Sequence, residues 1–224
     1  MQNLIQGVHR FQRHEFGKYR ELFQRLSREG QKPHTLFITC ADSRVVAEII
    51  TQSKPGDLFV IKNVGNIVPQ AGPRGVVNST GAAIEFAVSA LEVSDIVVCG
   101  HTQCGAMMAL VDGVPAQKQM PHLCDWLEIA APVRNIIQEK YANLASLDKH
   151  TAAAEENVLF ALDNLHTYPI VQERLAAGKL AIHGWMFEIA TARLFAFEPS
   201  LNHFVPLDAG SGKNGPKSDK LPGQ

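Results

Sequence analysis

The chain of 224 residues has no basic excess: Lys and Arg total 21 against 22 Asp and Glu, a formal charge of −1. A protein that grips nucleic-acid phosphates normally carries such an excess, so no nucleic-acid partner is expected. No apolar run approaches the length of a membrane span. The first thirty residues are crowded with Arg, Glu, Gln and His and hold no apolar segment of the signal-peptide kind. The reading is a protein without a membrane partner, located in the cytoplasm. Cysteine is also scarce. The four at Cys40, Cys99, Cys104 and Cys124 are too few for a disulfide scaffold and enough for a metal site. There is no internal repeat, and low complexity is confined to residues 209–224, rich in Gly, Lys, Pro and Ser, which read as a flexible tail.

What is present is enough apolar material for one core, 46% of the residues by count, so residues 1–208 are expected to form a single domain. Within it, Leu4, Ile5, Val8, Phe11, Tyr19, Leu22, Phe23 and Leu26 recur at helical spacing with charges between them. This pattern predicts an amphipathic arm over residues 1–30, interrupted near Gly17, whose apolar stripe needs a surface such as a partner subunit. Strands are expected at Thr35 to Cys40, Asp57 to Lys62, Asp95 to Cys99, Leu180 to His183 and Leu194 to Phe197. Helical patterns fall at Val45 to Gln52, at Gly75 to Glu92, after Cys104 through Trp126, Ile129, Val133, Ile136 and Ile137, and from Ala152 to Leu165, where Pro169 is expected to stop them. The alternation predicts an α/β fold: a central, mostly parallel sheet flanked by helices on both faces, with sites at the carboxyl ends of its strands.

Two segments put metal-type ligands at those ends. Cys40-Ala41-Asp42-Ser43-Arg44 closes the first strand, and Gly100-His101-Thr102-Gln103-Cys104-Gly105 closes the third. Two thiolates and one imidazole suit zinc, and three protein ligands leave a fourth tetrahedral position for water, as in a catalytic site. Zinc so held lowers the pKa of its water and supplies hydroxide at neutral pH. Gly100 and Gly105 fit a tight turn in which the backbone approaches the ion. Asp42 can pair with Arg44 through two points and orient the hydroxide; with that pair broken, Asp42 could become the fourth ligand and shut the site.

Blander readings compete at each position. A cysteine at a buried strand end also serves as a small hydrophobe, and H-x-x-C occurs by chance; Cys99 and Cys124 are read as core. His183 reads as a hydrogen-bonded structural residue, and His9, His14, His122 and His150 as surface residues.

With these two motifs in this order and separation, the chain resembles the β-class carbonic anhydrases over about nine-tenths of its length. Pro55-Gly56-Asp57-Leu58-Phe59, Asn63-Val64-Gly65-Asn66, Gly81-Ala82-Ala83-Ile84-Glu85 and His183-Gly184-Trp185 also match. The resemblance implies one zinc per subunit on Cys40, His101 and Cys104, an Asp42 and Arg44 dyad, and reversible hydration of CO2 to bicarbonate and a proton by zinc-hydroxide attack. It implies a homodimer or a dimer of dimers with the arm on the neighbouring subunit. Likeness to the plant-like, open-site branch places Gln31 in a partner's pocket, beside a substrate pocket of Phe59, Val64, Phe86 and Gly105. Phe86 replaces that pocket's tyrosine, and Lys62 stands where the family usually has an arginine before the asparagine. Phe37 and Phe187 stand where a bicarbonate-gated branch has a tryptophan and a tyrosine. Relatives with this zinc set hydrolyse CS2 or COS, the alternative substrates. The start Met1-Gln2-Asn3-Leu4-Ile5-Gln6-Gly7 is similar to cyanobacterial carboxysomal members, whose C-terminal extension is longer; a structural-zinc scaffold partner of the carboxysome is the non-enzymatic alternative.

Overall fold

The computed structural model describes residues 1–72, 78–114 and 119–207; the tail reading at 209–224 and the start of the helix expected at Gly75 lie outside them. The arm consists of α1 (Gln2–Arg10) and α2 (Phe16–Glu29), joined by a π-helical turn over Phe11–Glu15. The interruption is therefore that wide turn, and Gly17 lies inside α2. No residue of either helix is buried, and Leu4, Ile5, Val8 and Phe11 are exposed.

After the arm come β1 (Thr35–Cys40), α3 (Ala47–Thr51), β2 (Leu58–Asn63), α4 (Ser79–Glu85) and β3 (Asp95–His101). Next are α5 (Gly105–Asp112), α6 (Pro121–Glu128), α7 (Ala131–Lys140), α8 (Ser146–Leu165) and α9 (Pro169–Ala176), and β4 (Ala181–Glu188), β5 (Arg193–Glu198) and β6 (His203–Pro206) are the last among the described residues. Pro169 thus opens a helix rather than only ending one, because its missing N–H costs nothing at the first turn. The apolar face expected from Trp126 to Ile137 is shared by two helices, α6 and α7. The strand β6 follows a turn at Leu201 and Asn202 and was not legible in the pattern.

The sheet order is β2-β1-β3-β4-β5-β6, parallel from β2 to β4 and antiparallel beyond. Every residue of β1 is buried, as a strand covered on both faces requires. The two faces are unequal. Leu36, Ile38, Ile96 and Val98 pack with Ala153, Val158, Ala161 and Leu165 of α8 in the main core. The alternate residues Phe37, Val97 and Cys99 join Val45, Ala47 and Phe187 in a smaller cluster on the other side.

The helix α8 also pins the segment after β2. Asn157 Nδ2 donates to the Gly65 carbonyl at 2.9 Å and Asn164 Nδ2 to the Val68 carbonyl at 2.7 Å. Tyr168 Oη donates to the Pro69 carbonyl at 2.9 Å. Buried backbone carbonyls in a non-regular segment need such donors, so these polar residues hold the wall behind the strand ends in place.

Candidate active site

The strands β1 and β3 are parallel neighbours with Thr39 opposite Cys99, so their carboxyl ends bring Cys40 and His101 together. The chain then reverses through Thr102 and Gln103 and enters α5 with Cys104 as its N-cap residue. Cys40, His101 and Cys104 are all buried, and their ligand atoms lie within 4.8 Å of one another. The two sulfurs are 3.9 Å apart, too far for a disulfide. Two sulfurs each about 2.3 Å from one zinc at a tetrahedral angle stand about 3.8 Å apart, so the spacing fits a shared ion.

The imidazole is oriented for the same purpose. His101 Nδ1 lies 2.8 Å from the Thr102 carbonyl, which can only accept, so the proton sits on Nδ1 and the Nε2 lone pair is free. Nε2 is buried and has no hydrogen-bond partner among the described residues. A buried imidazole nitrogen left this way beside two thiols has the donor set and the opening for a metal ion. The thiol pair shares a proton unequally. The Cys104 thiol, the His101 ring and the amides of Asp42 and Gly65 lower the pKa of Cys40, whereas its thiolate neighbour and burial raise that of Cys104. By contrast the Cys99 thiol, buried without such company, is pushed up to about 12.

The glycines of the second motif work differently from the turn expected of them. The left-handed residue of the turn is Gln103, at φ 56°. Gly100 is required by packing: a Cβ there would lie 2.8 Å from both Met186 Sδ and Val158 Cγ2. Gly105 faces open space. The backbone approach to a ligand comes from Gly65, at φ 78°, whose N–H points at Cys40 Sγ over 3.4 Å. A Cβ on Gly65 would stand 2.9 Å from the Ala106 Cβ.

Asp42 and Arg44 sit on the turn after β1. Arg44 Nε donates to Asp42 Oδ1 at 3.0 Å and Nη2 to Oδ2 at 2.7 Å, a two-point fork joined by the Arg44 amide at 2.9 Å. These bonds hold the Asp42 carboxyl well below the usual carboxylate range. Its Oδ2 is 4.0 Å from His101 Nε2, so the carboxylate borders the space the three ligand atoms surround. Two residues to which the sequence reading gave no site role complete the turn. Arg44 also donates to the Gln103 carbonyl at 3.1 Å and Oε1 at 3.4 Å, and Lys62 Nζ donates to the carbonyls of Asp42 and Val45.

The pocket candidates are placed as follows. Phe59 and Phe86 are in ring contact at 5.8 Å, with Phe86 about half exposed. Val64 is exposed and its carbonyl accepts from Trp126 Nε1 at 2.7 Å, next to the Gly65 amide aimed at Cys40. Gln31 is exposed beyond α2. Phe37 and Phe187 are buried in the smaller cluster.

Of the remaining candidates, His183 lies inside β4 and pairs with Asp95 at 2.9 Å. His150 corrects its surface reading: it is buried on α8 and bonds Asp112 Oδ2 at 2.7 Å. Ser146 Oγ lies 3.4 Å from the same Nε2, so the three cannot form a relay, which needs both ring nitrogens. Cys99 is core, as expected, whereas Cys124 on α6 is only half-buried.

The carbonic anhydrase family model matches residues 35–194. A carbonic anhydrase of Synechocystis sp. is 44% identical over 92% of this chain and 74% of its own length. Carbonic anhydrase 1 of Escherichia coli O157:H7 is 44% identical over 93% of each. Among solved structures, the β-carbonic anhydrase CcaA superposes with a TM-score of 0.87 at 43% identity, covering 92% of this chain and 98% of that one. A structure from a study of two tetrameric β-carbonic anhydrases of Sordaria macrospora gives 0.76 at 30% identity, covering 87% and 95%.

Proposed function

The chain belongs to the β-class carbonic anhydrases, and from that membership we propose that it hydrates CO2 reversibly to bicarbonate and a proton, with one zinc held by Cys40, His101 and Cys104. The observation that carries the reading is the buried, unpartnered His101 Nε2 facing two thiols, with an arginine-held carboxylate 4.0 Å away. Zinc held by these three residues would supply a Lewis acid that brings the pKa of water toward neutrality.

The remaining work belongs to the chain's side chains. Asp42, kept ionised by Arg44, can only accept, so it takes a hydrogen bond from the attacking water and turns that water's lone pair toward the substrate. Arg44 keeps both carboxylate oxygens engaged and so would keep Asp42 from turning onto a metal held by the three ligands. CO2 has no dipole and needs an apolar pocket, for which Phe59, Val64 and Phe86 are the candidates, with Gly105 leaving room and Gln31 reaching in from a second subunit.

We read the assembly as a homodimer or dimer of dimers. The exposed stripe of Leu4, Ile5 and Val8 on α1, continued by Phe11 in the π-helical turn, with no buried residue in either, supports this.

The test is stopped-flow CO2 hydration by the purified protein before and after metal removal, with CS2 and COS assayed alongside. Fast hydration that disappears with the metal and returns with zinc is expected. Turnover of CS2 or COS with none of CO2 would replace the substrate.

A further inference from the structure

The dyad turn, residues 41–46, has no proline to stiffen it and belongs to no helix or strand. Its shape therefore rests on individual bonds. Ala41 N–H donates to the Asn63 carbonyl at 2.8 Å, which ties its beginning to β2. Within the turn, the Val45 N–H donates to the Asp42 carbonyl at 3.2 Å, the upper end of the ordinary range. Val45 precedes Val46, the N-cap residue of α3, so that helix offers no N–H to the Val45 carbonyl.

Both carbonyls find a donor in one side chain. Lys62 on β2 lies opposite Thr39 in the register, on the face of the smaller cluster. Its Nζ donates to the Val45 carbonyl at 2.7 Å and to the Asp42 carbonyl at 3.1 Å. A bond from an ammonium to a carbonyl is charge-assisted and stronger than the neutral closure it accompanies. The two acceptors bracket Arg44, so the ammonium grips the turn on both sides of the guanidinium that holds Asp42.

We propose that Lys62 is a positioning residue of the dyad: by clasping the Asp42 and Val45 carbonyls to β2, it fixes the turn in the shape that keeps the Asp42 carboxylate on Arg44 and out of the fourth ligand position. This rests on the proposed function for its catalytic consequence, and on the hydrogen bonds alone for its structural one. The margin it guards is small, because Asp42 Oδ2 is already within 4.0 Å of His101 Nε2. Only a modest rotation of the turn separates orienting a water from displacing it. Gln103 braces the guanidinium from the α5 side and makes no bond to the Asp42 backbone; the Asp42 amide is tied to Cys40 Sγ at 3.4 Å, and Lys62 adds the tie from the carbonyl side to β2.

The experiment compares the wild type with Lys62→Met, which keeps the stem and removes the donors, and with Lys62→Arg, which restores them. Hydrogen exchange is followed in the peptide spanning residues 41–47, in metal-free and zinc-loaded protein. Zinc content, kcat and KM are measured on the same samples. In Lys62→Met, exchange at the Arg44 and Val45 amides should rise about tenfold, the lower end for loss of charge-assisted bonds, in both forms and with the rest of the sheet unchanged. Zinc should stay bound, kcat should fall about tenfold with KM little altered, and Lys62→Arg should recover most of both effects. Unchanged exchange in the turn, an increase spread over the whole sheet, or faster local exchange at full kcat would overturn the proposal. If the wild type does not hydrate CO2, the exchange readout still decides whether Lys62 holds the turn, and only the functional reading fails.

Discussion

Cys40 and Arg44 are four residues apart and belong to regions built by different means. The ligand group is held by the sheet and the start of α5: Cys40 and His101 end adjacent strands, Cys104 caps the helix, and the His101 side chain is fully buried. The dyad is held by side chains on an open turn, with Asp42 17% and Arg44 45% exposed. Burial on strand ends suits ligands that must deprotonate and stay fixed, since an ion binds best where little reorganisation is needed. A carboxylate that must accept a bond from water needs access, and it is kept ionised by a partner rather than by solvent alone. Substitutions should therefore separate two losses, of metal and of rate.

The largest effect is expected at the ligands. Cys104→Ser should lose most of its zinc, with an affinity loss beyond the roughly 10–100-fold typical of outer partners. Metal analysis after dialysis checks this, and full occupancy would make another residue the ligand. Next comes the arm. Deleting residues 1–28 should give an inactive or insoluble product, read by assay and by light scattering; a soluble, fully active monomer would remove the shared-pocket picture. A moderate effect is expected where the sheet supports the ligands. Gly100→Ala would press a methyl onto Met186, Val158 and the Ala154 carbonyl, costing about 1–3 kcal/mol in thermal or denaturant unfolding.

The smallest expected effect is none. Rising bicarbonate should not switch the enzyme off cooperatively, because Phe37 and Phe187 fill the smaller cluster with apolar rings and Lys62 is committed to two carbonyls. A buried anion there would lack donors. Hydration rates across pH and bicarbonate concentration test this, and steep cooperative inhibition would contradict it.

The ligand strands were legible because β1 and β3 are continuous apolar runs that end on metal-type residues. Less legible was the turn chemistry. A left-handed Gln103 carries no compositional sign, unlike a glycine, and Gly100 looked like a turn residue when its role is to let α8 approach. Asn157 could have been found as a polar residue inside the apolar face of the helix expected from Ala152 to Leu165. The burial of His150 could not, since Asp112 lies 38 residues away and only the packing of α5 on α8 unites them. Lys62 stood out as a departure from the family pattern, but its two acceptors are set by the strand register.

The most direct measurement takes zinc content and CO2 hydration rate from the same preparations of wild type, Asp42→Asn and Arg44→Ala. If the buried ligands hold and the exposed dyad orients, both variants keep near-stoichiometric zinc and lose about 10–100-fold in rate. Wild-type turnover in either variant, or zinc lost in step with the rate, would contradict that division.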